Sequence, residues 1–370
     1  MKICVYAISK NEEQFVDRFV EAAQDADMIL VADTGSTDGM VDKLKAWNRP
    51  SSSHPLGIRA EVVVRDISIK PWRFDHARNA ALASIPADID ICVSLDLDEV
   101  LQPGWRDEIE RVWKAGETTR LRYMFDWGCG IAFWYEKIHA RHGYFWHHPC
   151  HEYPMPDGRI TEVWADASPD FLMVIHKPDN TKSRGQYLDL LKLSVTEDPH
   201  CPRNAFYYAR ELSFVGQWEE SIKECDRFLA LPRATWHTER CYAHRVKGRC
   251  YQEMGDWHNA EVQFMLAAAD APETREPWCE LAKVMYFNKR WHECFAYAMK
   301  TLSITDRHKV YTVDPEVWSH WPHTWASIAA WQLGLKDVSK EQAALAFAHA
   351  PEDAMVKGNH EFFGKQSDAG

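Results

Sequence analysis

DICVSLDLDE, residues 90–99, is an apolar run that ends in the carboxylates Asp96, Asp98 and Glu99. A run that stays apolar, instead of alternating, marks a strand buried on both faces, the form taken in a parallel sheet covered by helices. Three similar runs precede it: KICVYAI at 2–8, MILVAD at 28–33 and AEVVVRD at 60–66. Amphipathic stretches at 12–24, 37–47 and 75–84 separate them and are predicted as helices. The alternation predicts a doubly wound α/β domain with ligands beyond the carboxyl ends of its strands. SSSHPLG, residues 51–57, reads as a surface loop. Residues 121–176, rich in aromatics and histidine with several Gly and Pro, are predicted as irregular strands and loops that complete a site.

Three motifs fall at the predicted strand ends. On a strand, positions i and i+2 share a face, so Asp96 and Asp98 are expected to converge on one hard cation that keeps further positions for water and phosphate oxygens. DTGSTDG at 33–39 offers Gly35 and Gly39 for close backbone approach, with Ser36, Thr37 and Asp38 as helix caps. Asp33 there can accept hydrogen bonds from a nucleobase or ribose. Arg78, in FDHARNA at 74–80, is expected on the first turns of a helix, where it can meet phosphates or pair with the strand-end carboxylates.

Beyond about residue 181 helix formers dominate and a repeat emerges. Gly216-Gln-Trp218, Gly255-Asp-Trp257 and Lys289-Arg-Trp291 place their Trp residues 39 and then 34 apart, the latter being the tetratricopeptide period. Each Trp is predicted to open the second helix of a pair, and a fourth, degenerate unit follows YTVDPEVWSHWPH at 311–323. Tyr311, Trp318 and Trp321 in that insert are of the type that anchors partners. The domain division expected is 1–180 for the α/β domain, 181–203 for a linker or helix, and 204–370 for the repeats.

Composition narrows the function classes. With 46% hydrophobic residues, 12% aromatics and a net charge of −12, the chain reads as globular, and a broad phosphate-backbone grip on nucleic acid is disfavoured. No run reaches the roughly 18 apolar residues of a membrane span. The ten scattered cysteines include no CxxC pair, and the N-terminus reads as a strand rather than a signal peptide, so a cytoplasmic protein is expected. His139, His142, His147, His148 and His151 fit no standard zinc spacing.

ISKNEE at 8–13, VADTGSTDG at 31–39, FDHARNAAL at 74–82 and VSLDLDEVL at 93–101, in this order and spacing, resemble the family-two glycosyltransferases of GT-A fold. A looser likeness continues through His151-Glu152 and Ile175-His176-Lys177, similar to elements of the subgroup with C-terminal tetratricopeptide repeats, which includes the S-glycosyltransferases of glycosylated bacteriocins. The resemblance implies a nucleotide-sugar donor, with a UDP-sugar among the candidates, a divalent metal (Mn²⁺ or Mg²⁺) and inversion at the sugar carbon. Carried over, the donor site comprises Ile8, Lys10, Asn11, Glu12, Asp33, Ser36, Arg78 and Asp96, and the metal site comprises Asp96, Asp98, His151 and His176. Glu152 is the first choice for the general base and Asp126 the second. ASIPADID at 83–90 departs from the Gly-rich extension that often follows the ARN motif in this family.

The acceptor stays open among a peptide or protein, a small molecule and a modified nucleobase, with the repeats binding it or forming a homodimer and no membrane involved. A nucleotidyltransferase is the competing enzyme class, but the Gly-rich, Lys-bearing loop it needs after the first strand reads Ser9-Lys-Asn-Glu-Glu13 here. A repeat scaffold carrying a vestigial enzyme domain is the non-catalytic alternative.

Overall fold

The computed structural model describes residues 1–47, 60–179 and 185–365, so the loop expected at 51–57 and the start of the expected linker lie outside the described residues. The chain divides into two compact units, Met1–Ser194 and Val195–Gly370.

In the first unit every residue of β1 (Ile3–Ser9) is buried. Strand alternation sends its side chains to two cores. Ile3, Val5 and Ala7 pack with α1 (Val16–Ala23), α2 (Met40–Trp47) and α4 (Trp105–Val112), whereas Cys4, Tyr6 and Ile8 pack with α3 (Phe74–Ala83). α1 buries Val16, Phe19, Val20 and Ala23, the i, i+3, i+4, i+7 stripe of a helix lying on a sheet. β2 (Met28–Asp33), β3 (Glu61–Asp66) and β4 (Ile91–Ser94) run parallel to β1 in the order β3-β2-β1-β4.

The sheet is not parallel throughout. It continues through β7 (Ile131–Ala140), β6 (Arg120–Gly128), β11 (Met173–His176) and β5 (Glu99–Leu101), with β10 (Trp164–Asp166) beside β6, to nine strands. β7 is antiparallel to both β4 and β6. The cause is a tight hairpin, in which Gly128, Cys129 and Gly130 all adopt positive φ and turn β6 straight back into β7. Residues 121–176 are therefore more regular than expected. RLRYMFDWG and IAFWYEKIHA are rich in aromatic and branched residues that favour a pleated surface, and they form strands of nine and ten residues. β8 (Tyr144–His147) and β9 (Tyr153–Pro156) make a separate two-stranded sheet.

After α5 (Tyr187–Glu197), the second unit is a helical repeat: α6 (Pro202–Phe214) with α7 (Trp218–Ala230), α8 (His237–Glu253) with α9 (Trp257–Asp270), α10 (Glu276–Phe287) with α11 (Trp291–Ser303), α12 (Trp321–Gln332) with α13 (Lys336–His349), and a final α14 (Ala354–Lys365). Trp218, Trp257 and Trp291 each open the second helix of a pair, as their spacing predicts. All four pairs close in one way. Gly216, Gly255, Lys289 and Gly334 take positive φ, and the next residue donates its N–H five positions back: Gln217 to Leu212, Asp256 to Tyr251, Arg290 to Met285 and Leu335 to Ala330, at 2.8–2.9 Å. This is a Schellman closure, which needs a left-handed residue that glycine supplies without strain. Among the described residues no helix is long and apolar enough to cross a membrane.

Candidate active site

The carboxyl ends of β1 and β2 lead into two loops that lock onto each other. Asp33 accepts hydrogen bonds from the Gly35 and Ser36 amides and from Ser36 Oγ, folding 33–36 into a tight turn. The Asn11 amide donates to Ser36 Oγ at 2.9 Å, and Asn11 Oδ1 accepts from the Thr37 amide at 2.7 Å. Asn11 holds a φ of 56°, a left-handed conformation that asparagine adopts more readily than most residues, with its side chain bonded across to the other loop. Ser9 Oγ donates to Glu12 at 2.6 Å, while Asp38 and Glu13 exchange bonds with the Glu13 and Gly39 amides. Ile8 is buried beneath this platform and Lys10 is exposed on it. Asp33 is 6% exposed and serves the turn, and of the three expected caps Asp38 is the one that accepts an amide at the start of α2, from Met40 at 3.2 Å.

A second cluster lies at the end of the neighbouring strand β4. Arg78, 3% exposed on α3, reaches Glu152 at 2.5 Å, Asp96 at 2.6 Å and Ser94 Oγ at 3.2 Å. It is an interior cation, not a surface one. Its guanidinium lies 4.8 Å from the ring of Trp146, whose Nε1 donates to Tyr6 Oη. Tyr6 Oη also meets Nε2 of His139, and Nδ1 of that ring meets the Ala140 carbonyl. His139 is thereby a core residue, held neutral because burial pushes its pKa down to about 4.

Lys137 on β7, a single cation within an aromatic strand, stands 3.5 Å from Glu99 and 3.7 Å from Asp96. Glu99 Oε2 accepts the Asp96 amide. Burial pushes the Glu99 carboxyl up, Lys137 pulls it down and Asp96 pushes it up again, leaving it at about 7. Neither Lys137 nor Glu99 was assigned a role from the sequence, and the one available signal for Lys137 was a charge at an inward strand position.

Asp96 and Asp98 do not converge as strand neighbours. β4 stops at Ser94, and a turn closed by the Glu99 amide on the Asp96 carbonyl carries both residues. A turn abolishes the i, i+2 alternation on which the shared-face expectation rested. Asp96 faces Arg78 and Lys137, while Asp98 faces His176, whose Nε2 is 3.6 Å from Asp98 Oδ2. His176 Nδ1 is buried without a hydrogen-bond partner among the described residues. Trp127, half exposed, lies against the His176 ring at 4.3 Å with the two planes tilted by 33°.

His151 does not join this pair: among the described residues no three His, Cys, Asp or Glu side chains are grouped to hold a metal ion. Its ring lies 6.1 Å from that of Tyr187. Of the four expected metal residues, Asp98 and His176 are the two that the structure sets facing each other. The two base candidates also separate. Glu152, 9% exposed, is engaged by Arg78 and has little open side from which to take a proton. Asp126, half-buried on β6, accepts only its own turn's Gly128 amide among the hydrogen bonds described.

No family model matches the chain, and no curated protein matches it. Among solved structures it is similar to YrrB, described as a TPR protein with an unusual peptide-binding site, at 15% identity over 48% of this chain and 84% of that one, with a TM-score of 0.39. It is similar to PilW, a type IV pilus biogenesis factor, at 19% identity over 46% of this chain and 72% of that one, TM-score 0.38. A further likeness is to TTC0263, a thermophilic TPR protein of Thermus thermophilus, at 15% identity over 48% and 91%, TM-score 0.33.

Proposed function

We propose that the first unit is a glycosyltransferase of GT-A type that moves a sugar from a nucleotide-sugar donor to an acceptor with inversion. The observation that carries this reading is the facing pair Asp98 and His176 beside a buried network in which two cations, Arg78 and Lys137, meet the carboxylates of Asp96, Glu99 and Glu152. With Asp98 added, the carboxylates outnumber the cations, and such a centre favours a divalent cation. A carboxylate and an imidazole whose Nε2 faces it at 3.6 Å fit the protein's share of a Mn²⁺ or Mg²⁺ site, so Asp98 and His176 would hold the ion. Bound there, it would supply charge stabilisation for the leaving diphosphate.

The remaining tasks belong to the chain. Arg78, fixed by Trp146 and Glu152, orients the Asp96 carboxylate, whose 40% exposed side chain is available to the donor sugar. Asp33 and the loop locked to it form the nucleoside end. Asp126 replaces Glu152 as the candidate base. It takes the acceptor's proton as the acceptor's lone pair bonds to the anomeric carbon, while the carbon–oxygen bond to the diphosphate breaks and its electrons leave with the nucleotide.

A panel of nucleotide sugars incubated with the whole chain and Mn²⁺ or Mg²⁺, scored by release of nucleoside diphosphate, tests the class and names the donor. Asp98→Asn is expected to lower release by about a hundredfold or more with an unchanged circular dichroism spectrum. Release from no donor, or full release by Asp98→Asn without metal, overturns the reading.

A further inference from the structure

Residues 311–318 lie between α11 and α12, and their bonds run to the first helices of the pairs. Tyr311 Oη donates to Glu239 on α8, and its ring stacks with Tyr207 of α6 at 6.3 Å and 20°. Arg245 on α8 donates to the Thr312 carbonyl at 3.0 Å, and Arg249 one turn further reaches Asp314 at 2.7 Å. Glu276 of α10 accepts from the Asp314 amide and from Trp318 Nε1. Arg275, at the start of α10, lies 4.0 Å from the Trp318 ring. Three successive pairs are thereby bridged by one stretch of non-α backbone.

The first helices are the inner layer of this repeat, because α6 packs on α8, α8 on α10 and α10 on α12 more than the successive second helices pack on one another. A curved stack brings its inner helices together and splays its outer ones. The segment therefore lies along the inner face. The four helical pairs close their own turns identically without its help, and most of its anchors are side-chain hydrogen bonds, ion pairs and ring contacts. Only Thr312 and Val317 within it are buried, and Tyr311, Asp314 and Trp318 are half-buried. Its end joins the helix core, where Val317 lies in the apolar cluster with Trp325 and Trp318 packs against it, whereas Tyr311 to Asp314 are held as a ligand would be, by polar and ring contacts.

We propose that residues 311–318 are a built-in occupant of the inner groove, and that the groove's partner in trans is an extended peptide presenting an aromatic ring, a carboxylate three residues later and a second aromatic four residues after that. Arg245 and Arg249 read the carboxylate. Tyr207, Trp236 and Phe206 read the first ring, and Arg275 with Glu276 reads the second. A tethered occupant competes at an effective concentration on the order of millimolar, so the groove is closed to weak ligands until the segment lifts. The inference does not depend on the transferase reading, since it concerns the second unit alone.

A fluorescent peptide of sequence HKVYTVDPEVWSH, residues 308–320, serves as the probe, with anisotropy as the readout on the full chain. The chain carrying Tyr311→Ala, Asp314→Ala and Trp318→Ala, with an unchanged helical spectrum, is expected to bind it about tenfold or more tighter than the original chain does. The peptide with Asp314→Ala should lose about tenfold on the same variant. Hydrogen exchange of the original chain gives the second reading: amides of 311–318 should exchange about a hundredfold faster than those in the cores of α8 and α10, through local opening. Equal or absent peptide binding by the folded variant overturns the proposal. If the variant does not fold, exchange decides alone: release of these amides only with global unfolding makes the segment a permanent brace and overturns it.

Discussion

Both units bury charge, but they balance it differently. In the first, Arg78 and Lys137 face Asp96, Glu99 and Glu152, while Asp98 beside them turns to His176, so carboxylates outnumber the two cations. In the second, Arg245, Arg249 and Arg275 surround Glu276, Glu280 and Asp314, three against three. A buried imbalance is costly to maintain, because ionised groups lose their hydration and carboxylates repel one another. A balanced set satisfies itself. On the proposed function the first cluster would be completed by a bound cation, whereas the second is balanced by charges of the chain itself.

The contrast breaks most visibly at Arg78. Arg78→Ala removes the only guanidinium on Asp96 and Glu152 among the ion pairs described, and unfolding free energy should fall by about 3–5 kcal/mol, as for a buried pair that loses one member. Urea unfolding reads this, and Mn²⁺ should restore part of the loss only if the first cluster accepts a cation. A loss below about 1 kcal/mol would show that the carboxylates are not held in excess by Arg78.

Asp314 sharpens the other side. Burial pushes its carboxyl up, but Arg245 and Arg249 pull it down further, so it lies below the ordinary 3.8. A depressed folded pKa means stability present above the unfolded value and lost as pH falls through the folded one. Asp314→Asn should therefore cost about 1–2 kcal/mol near neutrality, and the gap to the original chain should close between about pH 5 and about pH 2. A gap independent of pH would remove Asp314 from the charge balance.

Lys289→Gly touches neither cluster and sets the scale. Lys289 holds the same left-handed turn that Gly216, Gly255 and Gly334 hold, with φ of 55°. Relief of that strain should exceed the added flexibility of the unfolded chain and raise stability by about 0.5–1 kcal/mol at an unchanged denaturant slope. A loss of stability would mean that the Lys289 side chain contributes more than its backbone strain costs.

Much of this was legible in sequence, and unevenly so. The four parallel strands and their helices were readable because buried strands are continuously apolar. The hairpin that sets β7 antiparallel between β4 and β6 and makes the sheet mixed rests on Gly128, Cys129 and Gly130, a turn signal inside a region whose aromatic density masked its regularity. Arg78, Asp96 and Asp98 were singled out as candidates by type and position, and His176 by resemblance. Their pairing was not, since the turn after β4 splits Asp96 from Asp98 and sends Glu152, expected as a base, to Arg78.

Sequence by itself determined the local elements and the repeat, because the period of apolar residues and the left-handed turn positions are written along the chain within a few residues of each other. Only the tertiary structure decided which carboxylate meets which cation, that Lys137 and Glu99 join them, and that residues 311–318 lie along the inner helices. Those outcomes depend on groups separated by tens of residues, 74 between Arg78 and Glu152 and 65 between Arg249 and Asp314. Charge reaches equally in every direction, and no pattern of neighbours along the chain says where the fold will bring its partner.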